Sequence, residues 1–290
     1  MILQNINGDK MKTQRLSTSE NDLQTAADIV RNGGLVAFPT ETVYGLGANA
    51  LDAEAVSKVY NAKGRPSDNP MIVHISRASD IGQLTPMLNQ RIIKLIENFW
   101  PGPLTLVVPK KPGVPDITTG GLDTVAVRMP DDKVALQIIT LAGCPIAAPS
   151  ANVSGKPSPT KASHVMDDLD GKIDAVVMGE DCRVGIESTV LDVSGKVATI
   201  LRPGIITAEN IEAAIGETVE FDPALFANMN EDTLAPKSPG MKYKHYAPNA
   251  QMTIIEGQRD KVKSEIDRLK KMNEMIGLKV GVILFEEKAF

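Results

Sequence analysis

The stretch TVLDVSGKVATIL, residues 189–201, holds two apolar runs, Thr189–Val193 and Val197–Leu201, joined by Ser194-Gly195-Lys196. Turn-forming residues between two β-branched runs predict a hairpin, so these strands pair antiparallel. A purely parallel sheet has no place for such a hairpin, because parallel neighbours need a long crossover between them. Upstream, Leu35–Phe38, Met71–Ile75, Leu104–Val108, Thr124–Met129, Ile146–Ala148 and Ala175–Met178 also read as strands. Helical patterns alternate with them. Residues 20–32 place Leu23, Ala26, Ala27 and Val30 on one face before Gly33-Gly34 stops the helix. Asp52 caps a helix through Ala62 that Gly64 ends, and 87–99, 131–142, 160–169 and Thr207–Ile215 follow as helices. The fold class expected is α/β: a twisted, mixed sheet with helices packed on it, not a doubly wound parallel one.

Residues 222–250 carry Pro223, Pro236, Pro239, Gly240 and Pro248 without sustained periodicity, and read as a linker. A strand (252–256), an amphipathic helix (259–275) and a strand (279–285) come next. About 40 residues bury too little surface to stand alone, so this segment is expected to dock on a larger body or to be an incomplete domain. The 290 residues are 42% hydrophobic but only 4% aromatic, so aliphatic side chains must fill the core. A formal charge of −5 offers no global attraction for nucleic acid, which leaves room only for weak, local contact with RNA. Cys144 and Cys182 lie outside any CxxC spacing and suit a reducing compartment. Met1–Ser17 is polar and not a secretory signal, and Met11 is an alternative start. No apolar run approaches the roughly 20 residues that span a bilayer, so a soluble, cytoplasmic protein is expected.

Five segments carry candidate chemistry. In PTETVYGLG (39–47), an extended chain puts Thr40 and Thr42 on one face and Glu41 on the other; the hydroxyls either bind a small polar substrate or decorate a turn. In KGRPSDNP (63–70), the prolines stiffen a loop that presents Lys63, Arg65, Ser67 and Asn69, suited to phosphates or else a solvated helix end. His74, inside the next strand, is either structural or functional. In TVAVRMP (124–130), alternation groups Thr124, Ala126 and Arg128, and Arg128 needs an anion, from a structural carboxylate or a substrate. AAPSANVSGKPS (147–158) is either a phosphate cradle or an ordinary loop. Glu187-Ser188-Thr189 and Leu201-Arg202-Pro203-Gly204 stand at the two edges of the hairpin. No nucleophile comes with its own base, which leaves positioning and charge neutralisation, the means of phosphoryl and nucleotidyl transfer.

In this order, PTETVYGLG, KGRPSDNP, VAVRMP (125–130), APSANVSGKPSPT (148–160), ESTV (187–190) and LRPG (201–204) resemble the YrdC-like family of L-threonylcarbamoyladenylate synthases, and SPGMKYKHYAP (238–248) resembles its longer two-domain branch. The resemblance implies a concave nucleotide-binding surface on a catalytic domain over 15–216, a linker over 217–250 and a partial α/β domain over 251–290. It implies synthesis of threonylcarbamoyl-AMP and pyrophosphate from L-threonine, bicarbonate or CO2, and ATP, with Mg2+ delivered by the ATP and no metal site in the protein. By position, Thr42, His74, Arg128, the Ala148 backbone and Ser188 would hold threonine, with Arg128 on its carboxylate. Lys63, Arg65, Asn69, Thr124, Ser150, Asn152, Ser158 and Arg202 would hold ATP, with Lys63 and Arg65 as the catalytic cations. Tyr243, His245 or Tyr246 would close over the nucleotide as a lid. A partner enzyme would transfer the group to tRNA. Two rivals share the fold: an RNA-binding module without adenylate synthesis, and a carbamoyl-transfer domain of the hydrogenase-maturation kind, which normally accompanies acylphosphatase and zinc-finger regions not found in this sequence.

Overall fold

The computed structural model describes residues 12–226 and 250–284, in two units that divide between residues 247 and 248. Among the described residues of the first, the strands are β1 (Gln14–Leu16), β2 (Val36–Phe38), β3 (Gly45–Asn49), β4 (Ile72–His74), β5 (Leu104–Pro109), β6 (Thr124–Arg128), β7 (Ile146–Ala147), β8 (Ala175–Val177), β9 (Thr189–Asp192), β10 (Ala198–Arg202) and β11 (Val219–Phe221). They form one sheet in the order β1-β8-β2-β3-β7-β4-β6-β5-β9-β10-β11. The sheet is mixed. β4 runs parallel to β6 and β5 to β9, whereas β9 and β10 pair antiparallel as the hairpin requires.

The helices begin where side chains can take up their free N–H groups. Ser19 caps α1 (Glu20–Arg31), Asp52 caps α2 (Ala53–Lys63), Asn89 caps α3 (Gln90–Phe99), Asp132 caps α5 (Lys133–Ala142) and Thr207 caps α7 (Ala208–Ile215). The short α4 (Asp116–Thr119) and α6 (Ala162–Leu169) start without a side-chain cap. α1 buries Leu23, Ala26, Ala27 and Val30, the face expected from its spacing. Gly64 ends α2 in the left-handed region, which fixes where Lys63 leaves the helix.

Alternation in the central strands sorts their side chains onto two faces. Val73, Leu104, Leu106, Val125, Val127 and Leu191 join the main core. The intervening Ile72, Val107, Ala126 and Val190, with Leu201, make a small separate cluster on the other face. His74, Thr105 and Arg128 share that second parity within β4, β5 and β6. One face of the central strands is thus sealed by aliphatic packing and the other keeps polar side chains, while farther along that second face α1 and α5 cover Val36, Phe38, Ile146 and Val177 in a second aliphatic cluster.

The 39–47 segment departs from the extended reading. Residues 41–43 bend, and a strand, β3, starts at Gly45. Two glycines weaken the strand signal there, yet the sheet requires Gly47. A Cβ on Gly47 would lie 2.5 Å from the Phe38 ring and 2.8 Å from an Ile146 methyl. The edge strands β1 and β11, three residues each, are too short to show a period.

In the second unit α8 (Arg259–Met275) forms as expected, with no buried residue. The strands expected at 252–256 and 279–285 do not form within the described residues, which end at 284. A strand needs a ladder partner and a covered face. Here Ile254 is 84% and Ile283 90% exposed.

Gly47→Ala should lower stability by about 1–3 kcal/mol through overpacking against two buried side chains. Gly113→Ala, where an added Cβ meets nothing within 4 Å, is the control. Denaturant unfolding of both variants checks this; equal stabilities would contradict the tight approach at Gly47.

Candidate active site: a cleft on the polar face of the sheet

One cleft opens on the second face. It is lined by the turn after β2, the loop after α2, the β4 and β6 strands, the loop after β7 and the hairpin edges. All five residues implied for threonine (Thr42, His74, Arg128, Ala148, Ser188) line it. Of the nucleotide set, Arg65, Ser150, Asn152 and Arg202 do too.

Arg128 decides the local geometry. It is only 3% exposed, and a buried guanidinium demands partners. The alternative left open by the sequence is resolved by a structural carboxylate: Arg128 Nη2 lies 2.6 Å from Glu41 Oε1, both side chains buried. Nη1 donates to Thr42 Oγ1 at 3.0 Å and Nε to the Gly102 carbonyl at 3.2 Å. Glu41 and Thr42 therefore converge on one cation. The expected opposition of Glu41 to the threonines fails because the chain bends where full extension was assumed.

β4 and β6 run side by side with His74 in register with Arg128. Burial, and then the Arg128 charge, push the His74 pKa down to about 3, so its ring is neutral near pH 7. Its Nδ1 is buried without a hydrogen-bond partner among the described residues. Opposite, Ser188 Oγ is 2.7 Å from Thr105 Oγ1. Arg202 holds this serine, donating from Nε to its carbonyl at 3.0 Å and from Nη2 to its Oγ at 3.1 Å.

The loop after β7 is fastened from below. Lys63 is buried, and its Nζ donates to the carbonyls of Ser150 (2.5 Å) and Asn152 (2.6 Å). Burial and the neighbouring Arg65 hold its pKa well below the usual lysine value. The structure thus places Lys63 under the loop and not among the residues that line the cleft, a departure from the direct phosphate contact implied by position. Asn152 Nδ2 closes the loop on the carbonyls of Val153 and Lys156. Ser158 reaches across to hydrogen-bond Glu187.

Other implied residues stand apart. Asn69 is buried, and its carbonyl accepts from Tyr60 and Arg65, but it does not line the cleft. Thr124 lies at the start of β6, opposite Pro109. Tyr243, His245 and Tyr246, with the lid reading built on them, fall outside the described residues. His164 is exposed and borders a second hollow with Asn152, Lys156 and Asp168. Sequence reasoning left out Glu41, Thr105, Lys156 and Glu187. A threonine in the apolar run LTLVV was the visible signal for Thr105; the carboxylates stood inside motifs already singled out. Among the described residues no group of three or more His, Cys, Asp or Glu gathers as a metal cage. Burial pushes the Cys182 thiol up to about 11, so it is no thiolate nucleophile at neutral pH.

The chain is similar to known proteins along most of its length. Residues 28–204 match the Sua5/yciO/yrdC family, described as "Telomere recombination", and residues 206–290 match "Threonylcarbamoyl-AMP synthase, C-terminal domain". The chain is 52% identical over 261 residues to a threonylcarbamoyl-AMP synthase of Pyrococcus abyssi, covering 90% of this chain and 76% of that one. It is 50% identical over 278 residues to one of Bacillus subtilis, covering 96% and 78%. Among solved structures, P. abyssi Sua5 complexed with L-threonine superposes with a TM-score of 0.87 at 50% identity, over 93% of this chain and 79% of that one.

Two outcomes are expected. Arg128→Ala leaves Glu41 buried without its cation and should cost about 3–5 kcal/mol of stability, most of which the double variant Glu41→Gln/Arg128→Met recovers. Urea unfolding decides this: a double variant as unstable as the single one would mean the pair is not coupled. For His74, the folded pKa lies below the unfolded one of about 6.5, so the unfolded chain binds the extra proton between about pH 6.5 and 3. Stability should fall as pH drops through that window, by up to about 1.4 kcal/mol per pH unit, and level off below it. His74→Gln should remove that part of the slope; an unchanged difference between wild type and variant from pH 7 to 4 would contradict it.

Proposed function

Since this chain belongs to the Sua5/yciO/yrdC family, we propose that it is an L-threonylcarbamoyladenylate synthase, a nucleotidyltransferase that converts L-threonine, bicarbonate or CO2, and ATP into threonylcarbamoyl-AMP and pyrophosphate. The observation that carries the reading is the shared cleft. Buried hydroxyls, a neutral imidazole and a paired guanidinium line it together with Arg65, Arg202 and residues of the loop at 148–156. Relatives that bear this activity in their names match over most of the chain.

The chemistry needs little covalent help from the protein. The neutral threonine amine forms an N–C bond to CO2 as one C–O π bond opens, and the nitrogen gives a proton to solvent to leave a carbamate; starting from bicarbonate, one water is also released. A carbamate oxygen then attacks the α-phosphorus, and the bond to pyrophosphate breaks. Thr42, His74, Ser188 and the Ala148 backbone orient the amino acid, and Arg128 offers its remaining N–H groups to the carboxylate. Arg65 and Arg202 offset the charge that gathers on the phosphates, with Ser150 and Asn152 presented by the loop. Lys63 acts through that loop, holding its carbonyls down so that its other groups face the nucleotide. Magnesium would be delivered with the ATP and would add to the charge offset that Arg65 and Arg202 supply. The adenylate is a substrate for a separate transferase that modifies tRNA. No helix among the described residues is long and apolar enough to cross a membrane.

Pyrophosphate release by the purified chain should require both L-threonine and bicarbonate, with threonylcarbamoyl-AMP as co-product. Equal release with no amino acid present would overturn the assignment.

A further inference from the structure

Thr40 lines the cleft but has no part in the reading above. Its hydrogen bonds have a direction that can be worked out. Thr40 Oγ1 lies 2.7 Å from the Val43 carbonyl oxygen. A carbonyl carries no hydrogen, so this contact takes the one proton of the Thr40 hydroxyl. The backbone N–H groups of Thr42 and Val43 approach the same oxygen together, each at a long 3.2 Å, and as one shared contact they leave its second lone pair for the Thr42 hydroxyl.

With the Thr40 proton committed, the 2.9 Å contact between Thr40 Oγ1 and Thr42 Oγ1 must use the proton of Thr42. On its other side Thr42 Oγ1 accepts from Arg128 Nη1 at 3.0 Å. Arg128 cannot turn away, since Nε is engaged by Gly102 and Nη2 by Glu41. Thr42 has then given its proton and filled one lone pair. A single lone pair is left to meet whatever enters the cleft.

We propose that Thr40 is a positioning residue that fixes the direction of the relay Arg128 to Thr42 to Thr40 to the Val43 carbonyl, so that Thr42 meets the amino-acid substrate as an acceptor only. This rests on the threonine reading above. An acceptor-only hydroxyl selects a group that carries hydrogen, the amine or the side-chain hydroxyl, and disfavours a carboxylate. The carboxylate is left to Arg128, which has five N–H hydrogens and uses three in the contacts described. The substrate's orientation is thereby set partly by a residue it does not touch.

The test compares Thr40→Val, which removes the proton acceptor of Thr42, with Thr40→Ser, which keeps it. Calorimetry measures L-threonine and ATP binding to the full chain and both variants, with thermal unfolding as the fold control. Thr40→Val should bind L-threonine about tenfold more weakly, the effect of one net hydrogen bond, while Thr40→Ser and all ATP affinities stay within about twofold of wild type. Thr40→Ala, which also removes that acceptor but adds no methyl group, takes its place if Thr40→Val unfolds early, and should show the same loss. L-2-aminobutyrate, which lacks the hydroxyl, identifies the group received. An equal loss for both ligands assigns the amine, and a loss for threonine alone assigns the hydroxyl. The inference is overturned if Thr40→Val binds threonine like wild type, weakens ATP equally, or is not rescued by serine. A wild-type chain that binds no threonine at all would instead sink the functional reading and this inference with it.

Discussion

A guanidinium shut away from water must be paired, and that requirement organises this fold around Arg128. Its partners come from two places in the chain: Glu41 and Thr42 from the turn after β2, and the Gly102 carbonyl from the segment before β5. The turn is itself tied to the 184–185 segment, whose N–H groups donate to the carbonyls of Glu41 and Thr42. Strands far apart in sequence are thus drawn to one point by a charge that none of them could bury alone. The same pairing leaves the cleft beside Arg128 polar but not strongly charged, a setting in which hydroxyls and a neutral His74 can orient a zwitterion.

A second fastening works through backbone carbonyls. The loop after β7 turns its Ser150 and Asn152 carbonyls inward, where burial without donors would be costly. Lys63 supplies them from the last turn of α2, and Gly64 ends that helix just where the lysine can reach. Asn152 then ties the loop to itself, and Ser158 ties it to Glu187. The loop keeps one conformation without a helix or strand of its own. Preorganisation of this kind serves an enzyme that works by position and charge, because nothing must reorganise when charge develops on the reacting group.

Much of the frame was legible from local pattern. The hairpin at 189–201 announced a mixed sheet, and capping residues marked where most helices start. The alternation of 124–129 separated Val125 and Val127, which enter the main core, from Ala126 and Arg128, which do not. Illegible were elements whose signal is short or self-cancelling. β3 carries Gly47 because Phe38 and Ile146 leave no room for a side chain, and that crowding exists only once the strands have paired. The strands expected on either side of α8 show the converse. Their apolar residues have the right composition, but a strand is made by its neighbours, and none is found for them within the described residues.

By itself the sequence determined which residues carry chemistry and which face of each strand or helix they occupy, because periodicity, caps and turns are properties of neighbouring residues. The tertiary structure alone decided which polar group meets which. Thr42 finds Arg128 across 86 positions, Lys63 finds Ser150 across 87, and Thr105 finds Ser188 across 83. Strand order sets such encounters, and strand order is fixed by how eleven strands share two faces. That is why the motifs gave no sign that Glu41 pairs with Arg128 or that Lys63 fastens the loop after β7. A motif states the residue types at a site, whereas the partner that stabilises a buried charge is chosen by long-range packing.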